Sequence, residues 1–114
     1  MADWTTDLYE TAGGQRVVEE EIKALGREGV TQVIRAAERL RDFGLLLAEP
    51  HVKHVEGKLW ELRPDRYCVL YFATTGRRFV LLLAFVKKTP RTPRRLIDAA
   101  QERLTDYEAR HRGE

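Results

Sequence analysis

Cysteine is almost missing from this chain: Cys68 is the only one in 114 residues. A lone thiol rules out an intrachain disulfide and a zinc site built on cysteines. Long apolar runs are missing too. The longest, Phe79 to Val86, is far below the roughly 20 residues that a membrane helix needs. The first residues show no basic-then-apolar leader, so a cytoplasmic location is expected and no membrane partner. Histidine is scarce; His51 and His54 stand three apart in sequence with no acidic cluster beside them, and no metal site is expected. Repeats, low-complexity tracts and dividing linkers are absent, so residues 1–114 read as one domain, large enough to bury a core without staples.

Charge is plentiful. Charged residues make up 33% and hydrophobic residues 43%, an ordinary globular balance. The net charge of +2 conceals a polarity along the chain. Residues 1–50 carry six Lys/Arg against ten Asp/Glu, whereas residues 51–114 carry fourteen against eight. Five of those cations, Lys87, Lys88, Arg91, Arg94 and Arg95, fall within nine residues, directly after the Phe79–Val86 run. Such concentration suits a polyanion or an acidic protein partner. Its competing explanation is a solvated loop leading into an ordinary charged helix.

Periodicity sets the expected elements. Trp4 to Tyr9 alternates loosely, favours β structure and ends at the Gly13-Gly14 turn. Val17, Val18, Ile22 and Leu25 recur at helical spacing up to Gly26; after Gly29 a second helix carries Val33, Ile34, Ala37 and Leu40 and stops at Gly44. The two short helices should form a hairpin. Residues 45–57 read as irregular, with Pro50 as a breaker. Three strands follow, Leu59–Arg63, Arg66–Ala73 and Phe79–Val86, joined by turns at Pro64-Asp65 and Thr74–Arg77. The last strand is apolar at every position and should be central, covered on both faces. Thr92 as N-cap and Pro93 at the first helical position open a final helix striped by Ile97, Ala100, Leu104 and Tyr107. The expected fold is α+β, in the order β-α-α-β-β-β-α, with an antiparallel sheet of about four strands.

Three segments carry a family likeness: LWELR at 59–63, YCVLYF at 67–72 and FVKKTPRTPRR at 85–95. Together they resemble the HigB toxins of the RelE/ParE superfamily, in its phage-related branch, and the FVKKT-x-x-TP stretch is the most specific part. The resemblance implies a toxin of a type II toxin–antitoxin pair, a ribosome-dependent endoribonuclease that cuts mRNA without a cofactor. It also implies an antitoxin partner with a helix-turn-helix DNA-binding domain. Where the superfamily commonly has Tyr-Arg, this chain has Tyr67-Cys68.

RNA cleavage by its own 2′-hydroxyl needs a proton removed, charge on the phosphorane stabilised and a leaving oxygen protonated. Positioned cations perform the middle task, which often supplies most of the rate enhancement. Strand alternation puts Glu61 and Arg63 on one face, and Arg66 with Cys68 on one face of the next strand. Arg66 could thus supply the missing guanidinium. Arg63, Arg66, Lys87, Lys88 and Glu61 are therefore the candidate catalytic set; Lys53, His54, Arg91, Arg94 and Arg95 are the candidate RNA contacts, the last three near a helix N-terminus that also favours an anion. The base stays open among Glu61, Lys53 and the histidines, and Glu61 could equally be the salt-bridge partner of Arg63. Two alternatives stand beside the nuclease. One is a non-enzymatic toxin that binds a protein such as DNA gyrase, as the ParE branch does; the other is a catalytically decayed RNA-binding toxin.

Overall fold

A computed structural model describes residues 3–112. Its elements are β1 (Thr5–Leu8), α1 (Val17–Lys23), α2 (Gly26–Phe43), β2 (Val52–Glu56), β3 (Leu59–Leu62), β4 (Tyr67–Thr74), β5 (Arg78–Val86) and α3 (Arg94–Arg110), with a single 3₁₀ turn at Gly44–Leu46. The strands form one five-stranded sheet in the order β1-β5-β4-β3-β2. β1 runs parallel to β5 and every other pairing is antiparallel.

The α+β class agrees with expectation, but the sheet has one strand more and is mixed. The added strand, β2, lies in the stretch that reads as irregular. Its sequence VKHVE alternates weakly because it is an outer strand whose Lys53 and His54 are exposed, and a register shift between His54 and Glu56 interrupts its pairing with β3. Such bulges and charges blunt sheet edges.

β5 holds the central place its composition demands. It lies between β1 and β4, and Phe79 through Ala84 are all buried. Alternation along β4 divides the two faces: Tyr67, Val69 and Tyr71 turn towards α2, and Cys68, Leu70 and Phe72 towards α3. The Tyr67 ring lies under Gly29, and Phe72 meets Tyr107 edge to face at 5.8 Å. Each fully buried Val, Leu or Phe contributes about 1.5–3 kcal/mol.

β1 is too short to cover the whole of β5. Beyond it, Arg103 donates to the Leu82 carbonyl at 2.7 Å and the Ala84 amide donates to Glu21 at 3.1 Å. Arg103 and Glu21 are themselves doubly bonded at 3.0 and 2.8 Å. This pair continues the ladder with side chains and ties α1, β5 and α3 together. It closes the backbone groups that a short edge strand leaves open.

Two helix starts differ from expectation. α2 begins at Gly26, whose φ of +86° suits the break after α1. Gly29 lies inside the helix, where an added Cβ would meet the Leu25 side chain and the Tyr67 ring at 2.9 Å. It is a close-packing glycine rather than a helix breaker. α3 begins at Arg94 with Pro93 in the cap position, and no side chain caps it. The Thr92 hydroxyl is directed elsewhere.

Gly29→Ala should destabilise the fold by about 1–3 kcal/mol through overpacking, despite alanine's better helix propensity. Urea denaturation checks this: the midpoint should fall, and an unchanged or raised midpoint would contradict the close approach.

Candidate functional site

A carboxylate buried under the basic segment organises this region. Glu61 lies on β3, paired with Leu70 and with Lys53, and only 3% of it is exposed. It faces the α3 side, because the alternation of β3 and β4 places it beside Cys68. Lys87, at the end of β5, donates to Oε1 at 3.0 Å, and Thr92 donates to Oε2 at 2.8 Å. The Cys68 thiol reaches Oε2 at 3.6 Å, and Arg63 Nε lies 3.6 Å from Oε1. Burial pushes the Glu61 carboxyl up. The hydrogen bonds from Lys87 and Thr92, with the Lys87 charge, outweigh burial and hold it below the ordinary glutamate value. Burial first, and the Glu61 charge second, push the Cys68 thiol far up, so it stays protonated and donates.

Beside this hub opens a cavity of about 190 Å³ lined by Lys53, His54, Glu61, Lys87, Arg91 and Thr92, among others. Three cations from separate parts of the chain therefore converge on it: one from β2, one from the end of β5 and one from the loop before α3. The Lys53 and Arg91 side chains are exposed and make no hydrogen bond or ion pair among the described residues. Lys87 is mostly covered, with 14% of its side chain exposed, and holds Glu61. A larger groove of about 450 Å³ lies by Tyr9, Arg110 and His111. There the Arg110 guanidinium is already committed to Asp106 at 2.8 Å, so cation chemistry favours the smaller cavity.

The remaining expected residues divide. Arg63 joins the hub, and its pairing with Glu61 is the bland alternative that the sequence leaves open. His54 borders the cavity, but its ring packs edge-on to Trp60 at 5.1 Å and its Nε2 meets the Gly57 carbonyl at 2.8 Å. Lys88 and Arg95 are exposed and lie outside the cavity lining. Arg94 is bound by Glu56 at 2.8 Å and Asp98 at 2.9 Å. Those carboxylates hold it against β2 and its own helix instead of presenting it to a ligand in the cavity.

Arg66 is a correction. Alternation puts it on the Cys68 face, yet β4 begins at Tyr67. The preceding turn holds Asp65 at φ +56°, which breaks the strand pattern. The Arg66 guanidinium lies 5.5 Å from the Tyr67 ring centroid, on the α2 side. Only its carbonyl meets Lys87, accepting from the backbone amide at 2.7 Å. Arg66 does not replace a guanidinium beside Glu61.

Thr92 is the residue that sequence reasoning missed. Its Thr-Pro pairing signals a helix cap, and only the fold brings it across to Glu61. Among the described residues, no group of three His, Cys, Asp or Glu side chains could hold a metal ion. No described helix is long and apolar enough to cross a membrane.

Glu61→Gln should lower stability at neutral pH by about 1–3 kcal/mol, because Lys87 keeps its charge without a counter-charge. A carboxyl held below its unfolded value of ~4.3 stabilises the fold above that pH and loses this effect as pH falls through the folded value. The gap between wild type and variant should therefore close under acid. Denaturant titration across pH measures it; a gap that widens on acidification would contradict the assignment.

Comparison with known proteins yields one family. The family model described as phage-derived protein Gp49-like (DUF891) matches residues 20–105, well over half of the chain. The matched stretch holds Glu61, Lys53, Lys87, Arg91 and Thr92. No curated protein matches the chain. By the extent of the family match, this chain belongs to the phage-derived Gp49-like protein family.

Proposed function

We propose that this chain is the toxin of a toxin–antitoxin pair and cleaves RNA in the Glu61 cavity. The family is associated with RelE-like toxins of such pairs. The observation that carries the nuclease reading is the convergence of Lys53, Lys87 and Arg91 on one cavity beside a buried carboxylate. In this reading the 2′-hydroxyl oxygen forms a bond to the adjacent phosphorus while the bond to the 5′ oxygen breaks. A cyclic phosphate and a 5′-hydroxyl result, and the proton lost from the 2′ oxygen is balanced by one gained at the 5′ oxygen.

The cations act on the phosphorane, whose equatorial oxygens gain charge as the bonds exchange. Lys53 and Arg91 carry that role, since neither is committed to a carboxylate. Arg91 brings a planar fork for two oxygens and Lys53 a point charge. Glu61 is a positioning residue: it accepts from Lys87 and Thr92 and keeps them at the wall, which argues against its being the base. HigB-like, ribosome-dependent cutting of mRNA is the finer form of this proposal, with an antitoxin carrying a helix-turn-helix domain as the partner.

One feature favours the second reading, a non-enzymatic toxin that binds a protein target. Phe43, Leu45 and Leu46 are 56%, 72% and 86% exposed around the 3₁₀ turn, and clustered exposed apolar side chains suit a protein interface.

Induced expression separates the two. The nuclease reading predicts growth arrest with translated messages cut inside their coding regions. Lys53→Ala with Arg91→Ala should reduce cutting at least ~10²-fold, the scale for removing a charge-stabilising donor, while the fold is kept. Arrest with intact messages and gyrase-dependent DNA damage would overturn the reading in favour of the protein target.

A further inference from the structure

We propose that a second cavity, on the α2 face of the sheet, is a docking pocket for one aromatic side chain of a partner protein. The nuclease reading is not needed for it, because Glu61 lies on the opposite face.

Strand alternation and the end of α2 form this cavity. Trp60 alternates with Glu61 on β3, and Tyr71 with Leu70 and Phe72 on β4, so both rings turn away from the α3 side. Beyond the C-terminal end of α2, the chain from Gly44 to Leu47 covers part of that sheet face and leaves a cavity of about 210 Å³. Its aromatic walls are held in place. Phe79 stacks on Trp4 at 4.3 Å and meets Tyr71 edge-on at 5.7 Å, while His54 packs edge-on to Trp60 at 5.1 Å. A pocket preorganised in this way loses little freedom when it is filled.

The Tyr71 hydroxyl points to a ligand. Tyr71 is only 5% exposed, yet its hydroxyl has no hydrogen-bond partner among the described residues. Every fully enclosed side-chain nitrogen and oxygen among them is paired, so this hydroxyl opens on the cavity that its residue lines. Burial pushes the phenol up, so it stays protonated and offers a donor as well as an acceptor.

Size and charge select the occupant. A dry apolar cavity of about 150 Å³ takes up benzene, whereas sites for drug-sized molecules begin near roughly 300 Å³. The volume here therefore suits one aromatic side chain with a polar group for Tyr71. Lys58 is the one charged residue in the lining, and Glu108 already neutralises it at 2.6 Å. A nucleotide would find no free cation for its phosphate. Leu45 borders the cavity, and Phe43 and Leu46 beside it are exposed, which continues the apolar surface past the mouth. An uncharged, aromatic centre matches the core of a protein interface, where an aromatic anchor seated in a pocket carries much of the affinity.

The test is proton NMR titration of the purified full-length protein with two probes. One is N-acetyltryptophanamide; the other is a neutral heptapeptide with tryptophan at its centre and leucine two residues to either side. Both should shift the Trp60 and Tyr71 ring signals, and the heptapeptide should bind at least tenfold tighter because it also covers the rim. Phe43→Ser with Leu46→Ser, at exposed positions outside the lining, should remove that gain and leave N-acetyltryptophanamide binding unchanged. Tyr71→Phe should weaken both probes about threefold to tenfold, the scale of one neutral hydrogen bond. It should not lower the urea midpoint, since no internal bond is lost, and RNA cleavage should be unchanged, so the two readings fail separately. A lowered midpoint would reveal an internal partner for the hydroxyl and overturn the proposal, as would the absence of shifts with both probes. Equal affinity for the two probes would overturn it in favour of a small-molecule pocket, and adenosine binding as tightly as N-acetyltryptophanamide in favour of a nucleobase site. Self-association that Phe43→Ser with Leu46→Ser abolishes would make the occupant a second copy of this chain instead.

Discussion

A buried carboxylate that must find positive and hydrogen-bonding partners shapes the functional end of this protein. Glu61 is taken out of water on the α3 side of the sheet, and leaving it unpaired would cost several kcal/mol. Lys87, Thr92, Cys68 and Arg63 satisfy it from β5, the loop before α3, β4 and the end of β3. One consequence is geometric. The basic segment after β5 is drawn back against the sheet at both Lys87 and Thr92, so Arg91 between them borders a cavity that Lys53 also lines. The apolar strand and the cations that follow it are coupled through this one side chain.

The cations of the chain consequently fall into two groups. Lys87, Arg94 and Arg103 are committed to carboxylates and hold elements together. Lys53 and Arg91 form the second group; neither side chain has an ion pair among the described residues. Structural ion pairs exposed to water contribute little individually. The partly covered Glu21–Arg103 pair differs, because it also closes the backbone edge that β1 leaves uncovered. The phosphate chemistry proposed here rests on the second group, positioned by the first.

Much of the fold was legible where composition leaves little choice. The run from Phe79 to Val86 could only be an inner strand, and the helical stripes of α2 and α3 follow from their spacing. β2 was hidden because an outer strand with Lys53 and His54 exposed needs no clean alternation. Gly29 reads as a breaker until the Tyr67 ring appears beneath it. At the site, Lys53 and Arg91 lie in stretches that read as irregular; they reach the cavity only through the pairing of β2 with β3 and the path of the loop before α3. Strand alternation does account for Glu61 beside Cys68. Arg66 failed that logic because Asp65 takes a positive φ just before β4. Arg94 and Thr92 were misjudged for another reason: their partners, Glu56 and Glu61, lie over thirty residues away in sequence, and local signals point only to a helix start.

The central claim is that Glu61 stays ionised while buried, held by Lys87 and Thr92. Carbon NMR of the Glu61 side-chain carboxyl, followed through an acid titration, tests it most directly. The expected inflection lies below that of an ordinary glutamate and moves upward when Lys87 is replaced by methionine. An inflection at or above the ordinary value in the wild-type protein would contradict it.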